Sequence, residues 1–175
     1  MEEGKVSVDG VTYALPEPFM VIATQNPFGS VGTQKLPESQ MDRFMIRVTM
    51  GYPSVEDEVS IMKSKTGGLS NRVLSKNVIN AQDFMAMRDI VDEVYVDDSI
   101  YEYVAKIVAK TRDSEDILQG ISPRGSISII NMAKAEAFLR GHDYVLPSDI
   151  QFVLNDTMAH RIILNRSLKR GHITE

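Results

Sequence analysis

Phe19-Met20-Val21-Ile22-Ala23-Thr24-Gln25-Asn26-Pro27 decides how the chain is read: five apolar residues in succession stop at a polar turn. An apolar run of this length without alternation suits a strand buried on both faces, as in a parallel sheet. Beyond it come a loop containing Gly29 and Gly32, a short helix opened by Pro37 at about 37–43, and a second strand over 44–49. Roughly twenty residues, a helix among them, separate the two strands, which is the spacing of a crossover between parallel neighbours. Only two such strands are present, whereas a parallel sheet needs more strands and helices over both faces. The first third of the chain therefore reads as the end of an α/β core whose beginning is missing.

Upstream of this run, Val6 and Val8 alternate with polar residues, Asp9-Gly10 supplies a two-residue turn, and Val11 and Tyr13 resume the alternation. That predicts a hairpin over 5–13, because both turn positions need positive φ. After residue 53 the period becomes helical. Ser54 caps a first helix, with Glu56, Asp57 and Glu58 in its opening turn and Gly67-Gly68 past its end. Asn80 caps a second, with Phe84, Met87 and Val91 on one face; Asp98 caps a third, with Ile100, Val104, Ile107 and Val108 inward. Ser122-Pro123 opens a fourth that ends at Gly141, and a last helix begins near Pro147 and carries Ile150, Val153, Leu154 and Met158. The expected division is 1–53 for the α/β part and 54–175 for an all-helical part.

A length of 175 residues allows one ordinary domain or two small ones, and 43% hydrophobic with 25% charged residues fits a globular core. The absence of cysteine excludes disulfides and thiolate metal sites. His142, His160 and His172 show no ligand spacing, so no metal site is expected. No apolar run approaches the ~20 residues of a membrane span. The acidic start Met1-Glu2-Glu3-Gly4 is not a secretory signal, and a cytoplasmic protein without membrane contact is expected. A net charge of −5 argues against charge-driven nucleic-acid binding. Arg161, Arg166, Lys169 and Arg170 form a basic end with no acid between them, read as a solvated helix end whose cations suit the helix dipole.

No G-x-x-x-x-G-K-[ST] phosphate-binding loop occurs in the chain, and Gly29-Ser30-Val31-Gly32-Thr33-Gln34-Lys35 puts its lysine too far from the second glycine. Ile90-Val91-Asp92-Glu93 has the letters of a magnesium-binding strand end but sits in a helical pattern. Three residues remain as candidates. Asn26 follows the apolar strand, where ligands of parallel sheets bind, and its carboxamide can donate to a phosphate oxygen and accept from water. It is equally a turn asparagine before proline. Arg43 follows the short helix and could reach a neighbouring subunit's γ-phosphate, or pair with Asp42 or Glu38 on the surface. Arg47 is its rival, placed by alternation on a solvated face. Arg124 lies in the first turn of a helix, where free amides and the dipole favour anions, or is a surface arginine.

Taken in order, Val21-Ile22-Ala23-Thr24-Gln25-Asn26-Pro27, Gly32-Thr33, Leu36-Pro37-Glu38-Ser39-Gln40-Met41-Asp42-Arg43-Phe44 and Gly51-Tyr52-Pro53 resemble the MoxR family of AAA+ ATPases. So do Val96-Asp97-Asp98, Ser122-Pro123-Arg124, Asp143-Tyr144-Val145-Leu146-Pro147-Ser148-Asp149-Ile150 and His160-Arg161. The resemblance implies a truncated AAA+ P-loop NTPase fold: an α/β remnant of parallel strands and hairpin, followed by a helical lid. It implies that Asn26 is the sensor 1 that positions attacking water, Arg43 the arginine finger for the neighbouring subunit, and Arg124 the sensor 2 arginine that links lid to nucleotide. The hairpin resembles the pre-sensor-1 hairpin of related rings. ATP and Mg2+ are implied for a full-length parent, with none expected on this chain, whose Met1-Glu2-Glu3 looks like the tail of the helix after Walker B. A truncated form of a longer protein is expected rather than a fragmentary gene product. A hexameric ring of like subunits and a partner with a von Willebrand A domain are implied as well. Two other classes stay open: a non-enzymatic helical interaction module, which predicts no phosphate-binding loop upstream, and a nucleic-acid motor, which predicts a basic hairpin where only Lys5 is basic.

Overall fold

Asp9 and Gly10 both take positive φ, 51° and 79°, and so close the two-residue turn between β1 (Lys5–Val8) and β2 (Val11–Ala14). Val6 pairs with Tyr13 and Val8 with Val11, so one face of the ribbon is apolar. The other face carries Ser7 and Thr12, whose hydroxyls hydrogen-bond at 2.8 Å. The structure, a computed structural model, describes residues 4–25, 36–66 and 78–165. Its contacts divide into two units, Met1–Arg47 with Ala81–Glu175, and Val48–Asn80.

In the first unit, α1 (Glu38–Met41) is a single turn that follows Pro37. The parallel strands expected at 19–23 and 44–49 are not formed among the described residues: both stretches lack strand pairing, and Ile22 is 79% exposed. A strand meant to be buried on both faces is defined by ladders on each side, and among the described residues no neighbouring strand offers one.

The helical body of this unit holds α3 (Ala81–Glu93), α4 (Asp98–Asp113), α5 (Pro123–Leu139) and α6 (Pro147–Met158). Helix α5 packs against each of the other three. Its buried face, Gly125, Ser128, Ile129, Ala133 and Ala137, is mostly small, which lets neighbouring backbones come close. Ile100, Val104 and Val108 of α4 and Ile150 and Val153 of α6 fill the core around it. Ile107, Leu154 and Met158, also expected inward, pack on its margin. In α3, Met87 and Val91 are half-buried as expected, while Phe84 is 47% exposed. Ile90-Val91-Asp92-Glu93 is helical, so it is no strand end.

Capping explains the helix boundaries. Ser122 Oγ accepts from the Gly125 amide at 3.3 Å, with Pro123 in the first turn. At the far end Gly141, at φ 79°, donates to Phe138 and His142 donates to Ala137, which closes a Schellman motif. Asp149 Oδ2 accepts from the Leu146 amide at 2.8 Å at the start of α6. The cap of α4 is Asp97, one residue before the Asp98 expected from sequence. Asp97 is extended and accepts from the Ser99 amide at 2.9 Å, whereas Asp98 already lies in the first turn, where its charge suits the dipole.

Two short pairings have no sequence signal. β3 (Ile117–Gln119) runs antiparallel to β4 (Ile163–Leu164), and a single parallel bridge joins Tyr95 to Tyr144. Gly120 makes the turn after β3 possible, since a Cβ there would stand 2.7 Å from the Thr111 carbonyl oxygen.

The second unit contains α2 (Val55–Thr66). Ser54 accepts from the Asp57 amide at 3.1 Å, as its sequence predicts, and acids lead while Lys63 and Lys65 close the helix. None of its residues is buried. Gly67-Gly68 lies outside the described residues.

Candidate functional site

The loop after α1 meets the start of α5 and the end of α6 at one carboxylate, Asp42. Its Oδ1 accepts from Ser122 Oγ and from Arg161 Nε, both at 3.1 Å. Its Oδ2 accepts from Ser122 Oγ at 3.1 Å and from Arg124 Nη1 at 3.4 Å. The Asp42 side chain is 22% exposed and that of Arg124 40%, so this second ion pair is partly screened and worth less than the first.

Arg161 is 3% exposed and sits in the turn that follows α6. Besides Asp42 it donates to the carbonyls of Asp42, Phe44, Met45 and Thr157 and to Ser128 Oγ. This corrects the expectation that Arg161 belongs to a solvated basic helix end. Arg166, Lys169 and Arg170, the rest of that run, lie outside the described residues. Burial pulls the Arg161 pKa down, opposed by the hydrogen bond and charge of Asp42. A guanidinium stays protonated at neutral pH regardless. Next to it, His160 Nε2 lies 3.0 Å from the Phe44 carbonyl. Burial holds the His160 pKa below its ordinary value.

Arg43 stands apart from all of this. It does not pair with Asp42 or Glu38: its side chain is exposed and has no hydrogen-bond or ion-pair partner among the described residues. Its peptide is held, with Arg43 N donating to Gln40 O at 3.2 Å. Arg47 is exposed too, and its amide donates to the Asp156 carbonyl at 2.8 Å. Arg124 lies in the first turn of α5 as expected. Asn26, and with it the loop through Gly29, Gly32 and Lys35, lies outside the described residues. Among the described residues, then, the structure brings Arg124 to Asp42 and sets Arg43 on the residue next to it. The chemistry offered is two guanidiniums able to meet anionic phosphate oxygens. Among the described residues no group of three or more His, Asp or Glu is placed to hold a metal ion.

Gly125 is required by the same packing. A Cβ there would overlap Ile121 Cγ2 and stand 3.0 Å from Arg161 Cδ. Ile121 is β-branched and only 1% exposed, so it has no room to yield. Gly125→Ala is expected to destabilise the chain by about 1–3 kcal/mol despite alanine's better helix propensity. Urea denaturation measures this, and an unchanged midpoint would mean that the pocket gives way.

Residues 1–46 match the family described as ATPase family associated with various cellular activities (AAA), and residues 109–174 match the AAA lid domain. Chaperone MoxR1 of Mycobacterium tuberculosis is 36% identical over 94% of this chain and 45% of its own length. The chain belongs to the MoxR family of AAA+ ATPases. A further relative, the uncharacterized YeaC of Bacillus subtilis, is 44% identical over 97% of this chain and 52% of its own length. A MoxR-type chain of this kind also has a close fold relative in a crystal structure, described as an ATPase, from Cytophaga hutchinsonii. The two superpose with a TM-score of 0.83 at 34% identity, over 99% of this chain and 55% of the other. The fold is thus that of part of an AAA+ ATPase, with a hairpin followed by helices. The chain spans about half the length of the curated relatives it matches.

Sequence reasoning missed the anchoring role of Asp42 and Arg161. The one available signal was that both lie inside matched motifs, Asp42 beside Arg43 and Arg161 beside His160. No helix among the described residues is long and apolar enough to cross a membrane.

Proposed function

We propose that this chain is the sensor and lid portion of a MoxR-type ATPase that couples ATP hydrolysis to chaperone-like remodelling or maturation of a partner protein. The observation that carries it is the arginines at Asp42: Arg124 tied to that carboxylate in the first turn of α5, and Arg43 on the next residue, exposed and without a hydrogen-bond or ion-pair partner among the described residues. In the whole protein, residues 1–53 complete the α/β core and residues 54–175 form the lid. Asn26 orients the attacking water, Arg43 neutralises developing charge at the neighbouring subunit's γ-phosphate, and Arg124 binds the phosphates from the lid side. ATP with Mg2+ supplies the phosphoryl group and part of the charge neutralisation when bound. The Asp42–Arg124 pair fits this role because the guanidinium, 40% exposed, is open to a phosphate that can compete with the carboxylate for it.

The proposed assembly is a cytoplasmic ring of six like subunits that acts on a protein with a von Willebrand A domain, with neither nucleic acid nor membrane as partner. The relative named as a chaperone supports the remodelling role. Residues 1–175 contain no phosphate-binding loop, so by themselves they are not expected to hydrolyse ATP. Titration calorimetry of the chain with ATP and Mg2+ tests this: binding no tighter than about 1 mM is expected, and a micromolar constant would show that a nucleotide site is already complete.

A further inference from the structure

Arg161 takes part in no step proposed above, yet among the described residues it is the only buried lysine or arginine. Its Nη2 donates to the Asp42 carbonyl at 3.2 Å and to the Phe44 carbonyl at 2.7 Å, the carbonyls of the residues before and after Arg43. Its Nη1 reaches Met45 O at 3.2 Å, and its Nε holds the Asp42 carboxylate. The remaining bonds, to Thr157 O and Ser128 Oγ, fasten the same guanidinium to α6 and α5. A planar fork of five N–H donors reaches these six acceptors with one Nη2 hydrogen shared, whereas an ammonium has three donors on one atom.

We propose that Arg161 is a positioning residue for Arg43: it fixes the backbone on both sides of that arginine against α5 and α6, and through Asp42 ties it to Arg124. A displacement of the helices therefore carries Arg43 with it, so the state of one nucleotide site sets the reach of the arginine offered to the next. This rests on the reading of Arg43 as a residue that serves a neighbouring subunit.

The test uses the full-length ring-forming ATPase with Arg161→Lys, which keeps the charge beside Asp42 and loses the fork. Misplacing a reacting group by about an ångström is expected to lower kcat roughly tenfold to a hundredfold, with KM for ATP within about twofold. Arg161→Lys subunits are then mixed with an excess of subunits inactivated at their own phosphate-binding loop but native at positions 43 and 161. Turnover per competent site is expected to recover to within about threefold of native, because each such site now receives a well-placed Arg43 from its neighbour. Damage confined to the altered subunit's own lid would not be rescued, and that result overturns the positioning role. Should Arg161→Lys fail to assemble, Asp42→Asn receives the same two measurements, with kcat expected roughly fivefold lower and again rescued by mixing; native turnover overturns the role. Arg43→Ala is run in parallel. If it hydrolyses ATP at the native rate, Arg43 is not the finger and Arg161 positions nothing catalytic. If it is inactive while the assembled Arg161→Lys or Asp42→Asn ring turns over natively, only the role given to Arg161 is wrong.

Discussion

Arg43→Ala in the full-length ATPase is expected to lower kcat about 10³-fold or more while ATP binding stays within about twofold. The side chain lies in the open and has no hydrogen-bond or ion-pair partner among the described residues, so no such contact among them is lost with it. A substitution of that kind changes stability by about 0.5 kcal/mol or less. On the proposed role its effect is expected in the transition state, where a guanidinium offered across a subunit interface would meet charge that the ground state lacks. Phosphate release measures the first quantity and a fluorescent ATP analogue the second. Normal hydrolysis by Arg43→Ala would instead direct attention to Arg47, the other exposed arginine of the same segment.

The second large effect is on stability and comes from the opposite kind of arginine. Arg161→Ala in this chain is expected to cost about 3–5 kcal/mol, the usual result of removing one partner of a buried pair. Asp42 would keep Ser122 and Arg124 but lose its buried cation, and the carbonyls of Phe44, Met45 and Thr157 would lose a donor. At this chain length the loss corresponds to a Tm roughly 10 °C lower. Calorimetric or circular-dichroism melting measures it, and an unchanged Tm would mean that water replaces the guanidinium without penalty. The two arginines should thus separate: one is dispensable for folding and needed for turnover, while the other holds the fold itself.

Signals that act over a few residues were legible. Asp9-Gly10 needs positive φ at both positions, and nothing outside the hairpin is required to say so. The faces of α4 and α6 repeat every three or four residues, and Ser54, Ser122 and Gly141 announce ends through bonds made within one turn. Asp97 and Asp98 mark the limit of that method. Both suit a helix start, and only backbone conformation decides which one caps and which one merely meets the dipole.

Contacts between distant parts of the chain were not legible. Arg161 and Asp42 lie 119 positions apart, and no periodicity connects them. A basic residue followed by more basic residues looks solvated until its carboxylate is found elsewhere in the fold. The segments 19–23 and 44–49 failed for a related reason: their apolar character is real, but strand formation is a property of neighbours. Of the three candidate residues, Arg124 sits where its helix start put it, Arg43 is exposed and does not make the alternative surface pair with Asp42 or Glu38, and Asn26 lies outside the described residues.

The hairpin has a practical consequence of another kind. The chain contains six tyrosines and no tryptophan, so its ultraviolet emission has no indole component. Tyr13 stands 55% exposed on the ribbon's apolar face, opposite Val6. A single indole introduced there as Tyr13→Trp would be spectrally alone, and its colour would follow the polarity of whatever comes to lie on that face.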